Sequence, residues 1–353
     1  MIYHFSEKDL SLKRNFSKTK HLIITRLKEG LIYFYAMKIP FLDKNKIAKL
    51  LDYPTLIKRL DEAFRADTMV IPPRHHHDYQ STASGLSSTL LLMPGWEEGG
   101  KLGIKIVTVS PDNYRRQLPA IHGIYVLFDA ATGAPQMLLD AKELTVRRTA
   151  AASALASKYL SRENSETLLM IGTGALAPHL ILAHASVRPI KKVIIWGRNQ
   201  MKVRSLADDI SQEKIEVLVT FNLTDSLSKA DIISSATLSS KPLVLGEKII
   251  EGQHIDLVGS YKKEMREADN ETISKSMIYV DTEAAMEESG DLLIPLQEEV
   301  ITPGDIMADL FQLCKNRELA RKFATDITLF KSVGYALEDL VAAQQIWETY
   351  EEG

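Results

Sequence analysis

The chain has a single cysteine, Cys314, among 353 residues. An intrachain disulfide and a multi-cysteine metal site are therefore excluded, and the usage fits a reducing compartment, with a cytoplasmic location as the expectation. No nucleophile motif surrounds Cys314, so it reads as a small buried hydrophobe. An excess of charge is also missing: 43 Lys+Arg stand against 46 Asp+Glu, a net charge of −3. Without a basic surplus to displace counterions, a general nucleic-acid binder is not expected. No run of 18 apolar residues occurs, so no transmembrane helix is expected either.

What is present is ordinary globular composition, 45% hydrophobic and 25% charged, in a length that suits about two domains. Residues 1–36 are basic and rich in Lys, Ser and Phe, and end in the apolar run 31–36. Arg26, Lys28 and Glu29 interrupt the apolar part and no small-residue cleavage site follows, so a signal peptide does not fit. The segment reads as an N-terminal appendage, open to disorder or to an upstream start, with Met37 opening the working protein.

Helical spacing of Ile47, Leu50, Leu51, Ile57, Leu60 and Phe64 predicts one helix over 45–66. Strand-like runs follow at 88–93, 103–109 and 121–129, punctuated by Pro and Gly. The Ala-rich stretch over 144–160 predicts a helix whose small side chains admit a neighbouring backbone. Beyond residue 166, short apolar runs alternate with helical stretches. Buried parallel strands are expected at 168–171, 193–196, 217–221, 232–235, 255–258 and 278–280. The fold class is α/β: a doubly wound domain over 158–324, plus a discontinuous α+β domain over 37–157 with 325–353.

The segment Leu168-Leu-Met-Ile-Gly172-Thr-Gly174-Ala-Leu-Ala177 is a strand, then G-x-G-x-x-A, then a helix. Gly172 permits the tight turn, Gly174 lets backbone approach a pyrophosphate, and the helix N-terminus offers its positive dipole end. After the second strand an acid would bind a ribose 2′-OH; here Gly197, Arg198 and Asn199 stand instead. Arg198 suits a 2′-phosphate, so NADPH is preferred over NADH.

Hydride chemistry needs a substrate gripped against the nicotinamide. Arg74 follows the rigid Ile71-Pro-Pro73, Lys105 lies mid-strand among apolar neighbours, and Arg148 opens the Ala-rich helix, where a buried guanidinium would need an anionic partner. Each alone also reads as a structural ion pair or solvated charge. His75-His76-His77 has no companion ligand at metal spacing, so no metal is expected. Glu287 and Glu288 read as a solvated turn.

Several long gapless segments resemble the ornithine cyclodeaminase/mu-crystallin family from Met37 to the C-terminus. They are Ser88-Thr-Leu-Leu-Leu-Met-Pro94, Gly103-Ile-Lys-Ile-Val-Thr-Val109, Arg147-Arg-Thr-Ala-Ala-Ala-Ser153, Gly172-Thr-Gly-Ala175, Ser235-Ala-Thr237, and Phe330-Lys-Ser-Val-Gly334 with Leu337-Glu-Asp-Leu340. Three more, Asp256-Leu-Val-Gly-Ser-Tyr261, Met265-Arg-Glu-Ala-Asp269 and Gly290-Asp-Leu-Leu-Ile-Pro295, resemble its Δ1-pyrroline-2-carboxylate (ketimine) reductase branch.

The resemblance implies an NAD(P)H-dependent imine oxidoreductase, a homodimer that makes L-proline or L-pipecolate, with 158–324 as a Rossmann-type NAD(P)-binding domain and 37–157 with 325–353 as the substrate-binding and dimerisation domain. It implies that Arg74, Lys105 and Arg148 hold the substrate carboxylate, with Lys105 tuning protonation as the catalytic candidate and Val333 facing the substrate. It assigns Ala175 and Leu176 to the pyrophosphate, and Ala236, Thr237, Leu257, Val258, Gly259 and Ser332 to the nicotinamide half. The alternatives are an ornithine cyclodeaminase, an alanine dehydrogenase-like activity, or a mu-crystallin-like binding protein. A cyclodeaminase would need a carboxylate after the Val258-Gly-Ser turn, where Tyr261 stands.

Overall fold

The computed structural model describes the backbone of residues 20–27 and 30–37, and residues 39–80 and 87–352. Lys20–Leu27 and Gly30–Met37 form an antiparallel hairpin that pairs with no other described strand. The rest of the expected appendage lies outside the described residues.

Helix 45–66 is two helices, Lys44–Leu50 and Tyr53–Ala66. The break has a local cause: Asp52 turns extended and accepts from the Thr55 amide at 2.9 Å, and Pro54 occupies the first turn of the new helix. Strands Ser87–Glu97, Lys101–Val109 and Ile121–Asp129 then run antiparallel, joined by Pro135–Asp140, which the apolar pattern did not reveal. His75–Gln80 pairs along Ser87–Glu97 as an exposed strand.

The helix Ala141–Leu160 lies between this sheet and a second one. Ala150, Ala151, Ala152, Ala154 and Ala156 are buried, so strands and helices approach it closely from both sides. Asp140 caps its start, accepting from Glu143 N at 2.8 Å. Its last carbonyls are satisfied by Arg188 Nη2, which donates to Ser157, Lys158 and Ser161.

The second sheet has eight strands, all parallel. Their order is Glu216–Val219, Lys192–Trp196, Thr167–Ile171, Ile232–Ser235, His254–Leu257, Thr328–Lys331, Met277–Val280 and Ile306–Asp309. The chain reverses direction of travel between Thr167–Ile171 and Ile232–Ser235, which opens a crevice at the carboxyl ends of those strands. Thr328–Lys331 corrects the sequence division, which assigned 325–353 to the other domain. This strand belongs to the parallel sheet, and only the helix Ala336–Glu352 packs back onto Ser87–Glu97 and Lys101–Val109. Among the described residues no helix is long and apolar enough to cross a membrane.

Candidate active site and nucleotide crevice

Thr167–Ile171 delivers the chain into Gly172 at φ +114°, where a side chain would meet Ala236 O at 2.6 Å. Only glycine combines that conformation with that contact. Gly174 has no heavy atom within 4 Å of where a Cβ would stand, and Ala175 is exposed, so backbone is open to a ligand there. The helix Ala177–Val187 carries no side-chain cap at Leu176. Ala177 N is spent on the Gly174 carbonyl at 3.1 Å and Pro178 carries no N–H, so the crevice is offered the open backbone of Gly174 to Leu176 and the positive dipole end, which suits a pyrophosphate.

At the next strand end Gly197 is buried, Arg198 is exposed, and Asn199 caps the helix Gln200–Ile210 through Lys202 N. No acid follows that strand. Ala236, Thr237, Val258 and Gly259 continue the row along adjacent strand ends. The Leu257 side chain is fully buried and its carbonyl accepts from Ser332 N and Lys331 Nζ, so its part is to carry the two residues after it. Ser332 is buried, and its Oγ has no hydrogen-bond partner among the described residues.

The turn after Thr328–Lys331 joins this row to the three cations. Gly334 lies at φ +85°, and a Cβ there would stand 2.6 Å from Arg148 Nη1. Asp281, at the end of Met277–Val280, accepts from the amides of Val333 at 2.8 Å and Gly334 at 2.6 Å. The Gly334 carbonyl accepts from Arg74. Arg148 Nη1 lies 2.6 Å from Glu338 Oε2 and its Nε 2.9 Å from Asp339 Oδ1, leaving Nη2 without an acceptor among the described residues. Lys105 Nζ lies 2.8 Å from the other oxygen, Asp339 Oδ2. Arg74, Lys105 and Arg148, far apart in sequence, thus converge on Gly334 and Asp339, with half-buried Val333 beside them.

Burial is severe here: Lys105 is 3% exposed and Arg148 4%. Burial first, then the neighbouring Arg148, lowers the Lys105 ammonium to about 8, against the pull of Asp339. Burial would lower the Arg148 guanidinium too, but Asp339 and Glu338 outweigh it and hold the charge on. Burial pushes the Glu338 carboxyl up to about 7 despite Arg148, and pushes Asp281 up as well.

Sequence reasoning asked for an anion beside Arg148 but did not identify Glu338, Asp339 or Asp281. The Leu337-Glu-Asp-Leu340 segment was the available signal. Glu288 departs from the solvated-turn reading, since its Oε2 reaches 3.5 Å from Arg74 Nη1. His75 and His77 face each other on an exposed strand, and no group of three metal-binding side chains occurs among the described residues. Cys314 is buried, its thiol pushed up to about 12 by burial and then by Asp61, so it is no nucleophile. Tyr261 is exposed, whereas Asp256 is sealed in the sheet, bonded to Ser234 Oγ and His184 Nε2.

The sequence profile of the ornithine cyclodeaminase/mu-crystallin family matches residues 40–353. The Δ1-pyrroline-2-carboxylate reductase of Colwellia psychrerythraea is 37% identical over 316 residues, covering 88% of this chain and 99% of its own. The structure of Thermococcus litoralis Δ1-pyrroline-2-carboxylate reductase in complex with NADH and L-proline superposes with a TM-score of 0.82 at 33% identity, covering 88% of this chain and 97% of that one. An archaeal alanine dehydrogenase dimer with bound NAD gives 0.78 at 26% identity, covering 88% and 95%.

Proposed function

The chain belongs to the ornithine cyclodeaminase/mu-crystallin family, and we propose that it reduces cyclic ketimine acids with NAD(P)H. The substrates are Δ1-pyrroline-2-carboxylate, Δ1-piperideine-2-carboxylate or both, and the products L-proline and L-pipecolate. The observation that carries this reading is the convergence of Arg74, Lys105 and Arg148 beside a dinucleotide crevice. The relatives' names and the L-proline in the Thermococcus complex support it.

The uncapped helix N-terminus, Gly174 and Ala175 would hold the pyrophosphate, and Gly197 to Asn199 the adenosine ribose. Ala236, Thr237, Val258, Gly259 and Ser332 would line the nicotinamide half. When bound, the reduced nicotinamide supplies the hydride for the imine carbon. Exposed Arg198, with no acid beside it, favours NADPH over NADH.

The substrate carboxylate meets Arg148 Nη2, which has no acceptor among the described residues, together with Lys105 and Arg74. The Arg74–Glu288 pair, at 3.5 Å and partly exposed, is the contact most easily exchanged for substrate. Glu338 and Asp339 position two of the three cations, so the site is charged before substrate arrives. The imine nitrogen is protonated from solvent, and Lys105 beside the carboxylate sets the field in which that iminium forms. A homodimer, as the archaeal alanine dehydrogenase forms, belongs to the same proposal.

Arg148→Lys tests the carboxylate site, because it keeps the charge and loses the planar fork. We expect kcat/KM for the imine to fall by more than tenfold, about 1.4 kcal/mol per decade, while NAD(P)H still raises Tm. A fall smaller than tenfold would contradict the site.

A further inference from the structure

Beneath the nicotinamide-side loops lies a buried carboxylate that the reading above does not use. Glu267 is fully buried on the segment that crosses the carboxyl ends of the strands. Its Oε1 accepts from Ser235 Oγ at 2.6 Å, Thr237 N at 2.7 Å and Thr237 Oγ1 at 2.8 Å. Its Oε2 accepts from Gly259 N at 2.6 Å and Ser260 N at 3.2 Å. One oxygen thus serves the loop after Ile232–Ser235, and the other serves the loop after His254–Leu257.

The two loops have no slack between them. A Cβ on Gly259 would stand 2.1 Å from Thr237 O and 2.2 Å from Thr237 N. Ala236 in turn abuts Gly172 of the phosphate loop. Three strand-end loops are therefore stacked backbone against backbone, and the Glu267 carboxylate is the group that binds two of them together. A buttress stands behind it. Asp291 Oδ1 accepts from Glu267 N at 2.6 Å and Ala268 N at 3.1 Å, and buried Lys331 reaches both Asp291, at 3.4 Å, and the Leu257 carbonyl, at 3.1 Å.

We propose that Glu267 is a positioning residue for the dinucleotide, its carboxylate fixing the separation of the 235–237 and 257–260 loops so that both present backbone to the nicotinamide half. The inference rests on the reading that these loops line the cofactor. Three of the five partners of Glu267 are backbone N–H groups, which can only donate, and they contact both of its oxygens, so the ionised carboxylate, an acceptor at both oxygens, suits them best. Burial, then Asp291, pushes the acid up to about 7 against Lys331 and the donor hydroxyls and amides. The clamp therefore loosens as pH falls through that range.

Glu267→Gln keeps the shape but offers one acceptor oxygen and one NH₂, which repels the donors of one loop. We expect the dissociation constant and KM for the dinucleotide to rise at least tenfold, with KM for the imine at saturating cofactor changing less than twofold. In the wild type, NADH affinity should fall from pH 8 to pH 6, a limb that Glu267→Gln lacks. A merely structural role would lower Tm and degrade both KM values together. Should Glu267→Gln not fold, Ser235→Ala/Thr237→Val removes the side-chain donors on one arm and should raise the cofactor KM in the same selective way. Unchanged cofactor affinity, or parallel loss of cofactor and imine affinity, would overturn the proposal. A wild-type protein that binds neither NADH nor NADPH would overturn the functional reading as well; wild-type binding with an unaffected variant overturns this inference alone.

Discussion

Lys105 Nζ lies 2.8 Å from Asp339 Oδ2, a buried ion pair between a central strand and the first turn of the C-terminal helix. Asp339 is shared, since its second oxygen holds Arg148. The ammonium is thus flanked by one carboxylate and one guanidinium, and burial tips the balance toward the neutral amine near pH 8.

The first prediction follows from the sign of that shift. A lysine lowered to about 8 is charged below that pH and neutral above it. If the ammonium binds the substrate carboxylate, kcat/KM for the imine falls as pH rises through about 8. Lys105→Arg keeps its charge throughout, so its alkaline limb should vanish between pH 7 and about 9.5, even at a lower absolute rate. An unchanged limb in that variant would assign the titration to another group.

Gly334→Ala tests the turn between the cations. The position has φ +85°, and the added methyl would press on Arg148 Nη1 at 2.6 Å. The backbone term alone costs about 1–2 kcal/mol. We expect a lower Tm and a raised KM for the imine, with cofactor affinity changed much less. Wild-type imine KM in Gly334→Ala would show that the turn does not shape the substrate end.

If Arg198 meets a 2′-phosphate as proposed, it sets the cofactor preference. NADPH should raise the melting temperature of the wild type well beyond NADH, and Arg198→Ala should bring the two shifts together. Equal shifts in the wild type would remove the role given to Arg198.

Much of this was legible because it is local. The strands Ile121–Asp129 and Ile232–Ser235 have the bounds that their apolar runs predict, and the phosphate loop follows from glycines at fixed spacing. Thr328–Lys331 was not legible. Its Thr328 and Lys331 are both fully buried, and Lys331 is tolerated only because Asp291 and a carbonyl receive it. Periodicity reads such a segment as a turn, since the partner is remote in sequence. The same holds for the carboxylates of the site. Arg148 announced the need for an anion, but Glu338 and Asp339 lie on a helix that only tertiary packing brings to it. The break at Asp52 was missed for the opposite reason, because the apolar spacing carries on across a cap whose strength is local.

Turnover tests the central claim most directly, because the same fold and the same cations could serve a cyclodeaminase. That reaction needs a carboxylate beside the reacting amine. Tyr261 supplies none, and Asp256 is bonded into the sheet with Ser234 and His184. The measurement is NADPH consumption with Δ1-pyrroline-2-carboxylate, set beside ammonia release from L-ornithine with NAD⁺. The account predicts consumption that depends on the imine and yields L-proline, with no measurable ammonia. Ammonia formed at a rate comparable to imine reduction, or no NADPH consumption at all, would contradict it.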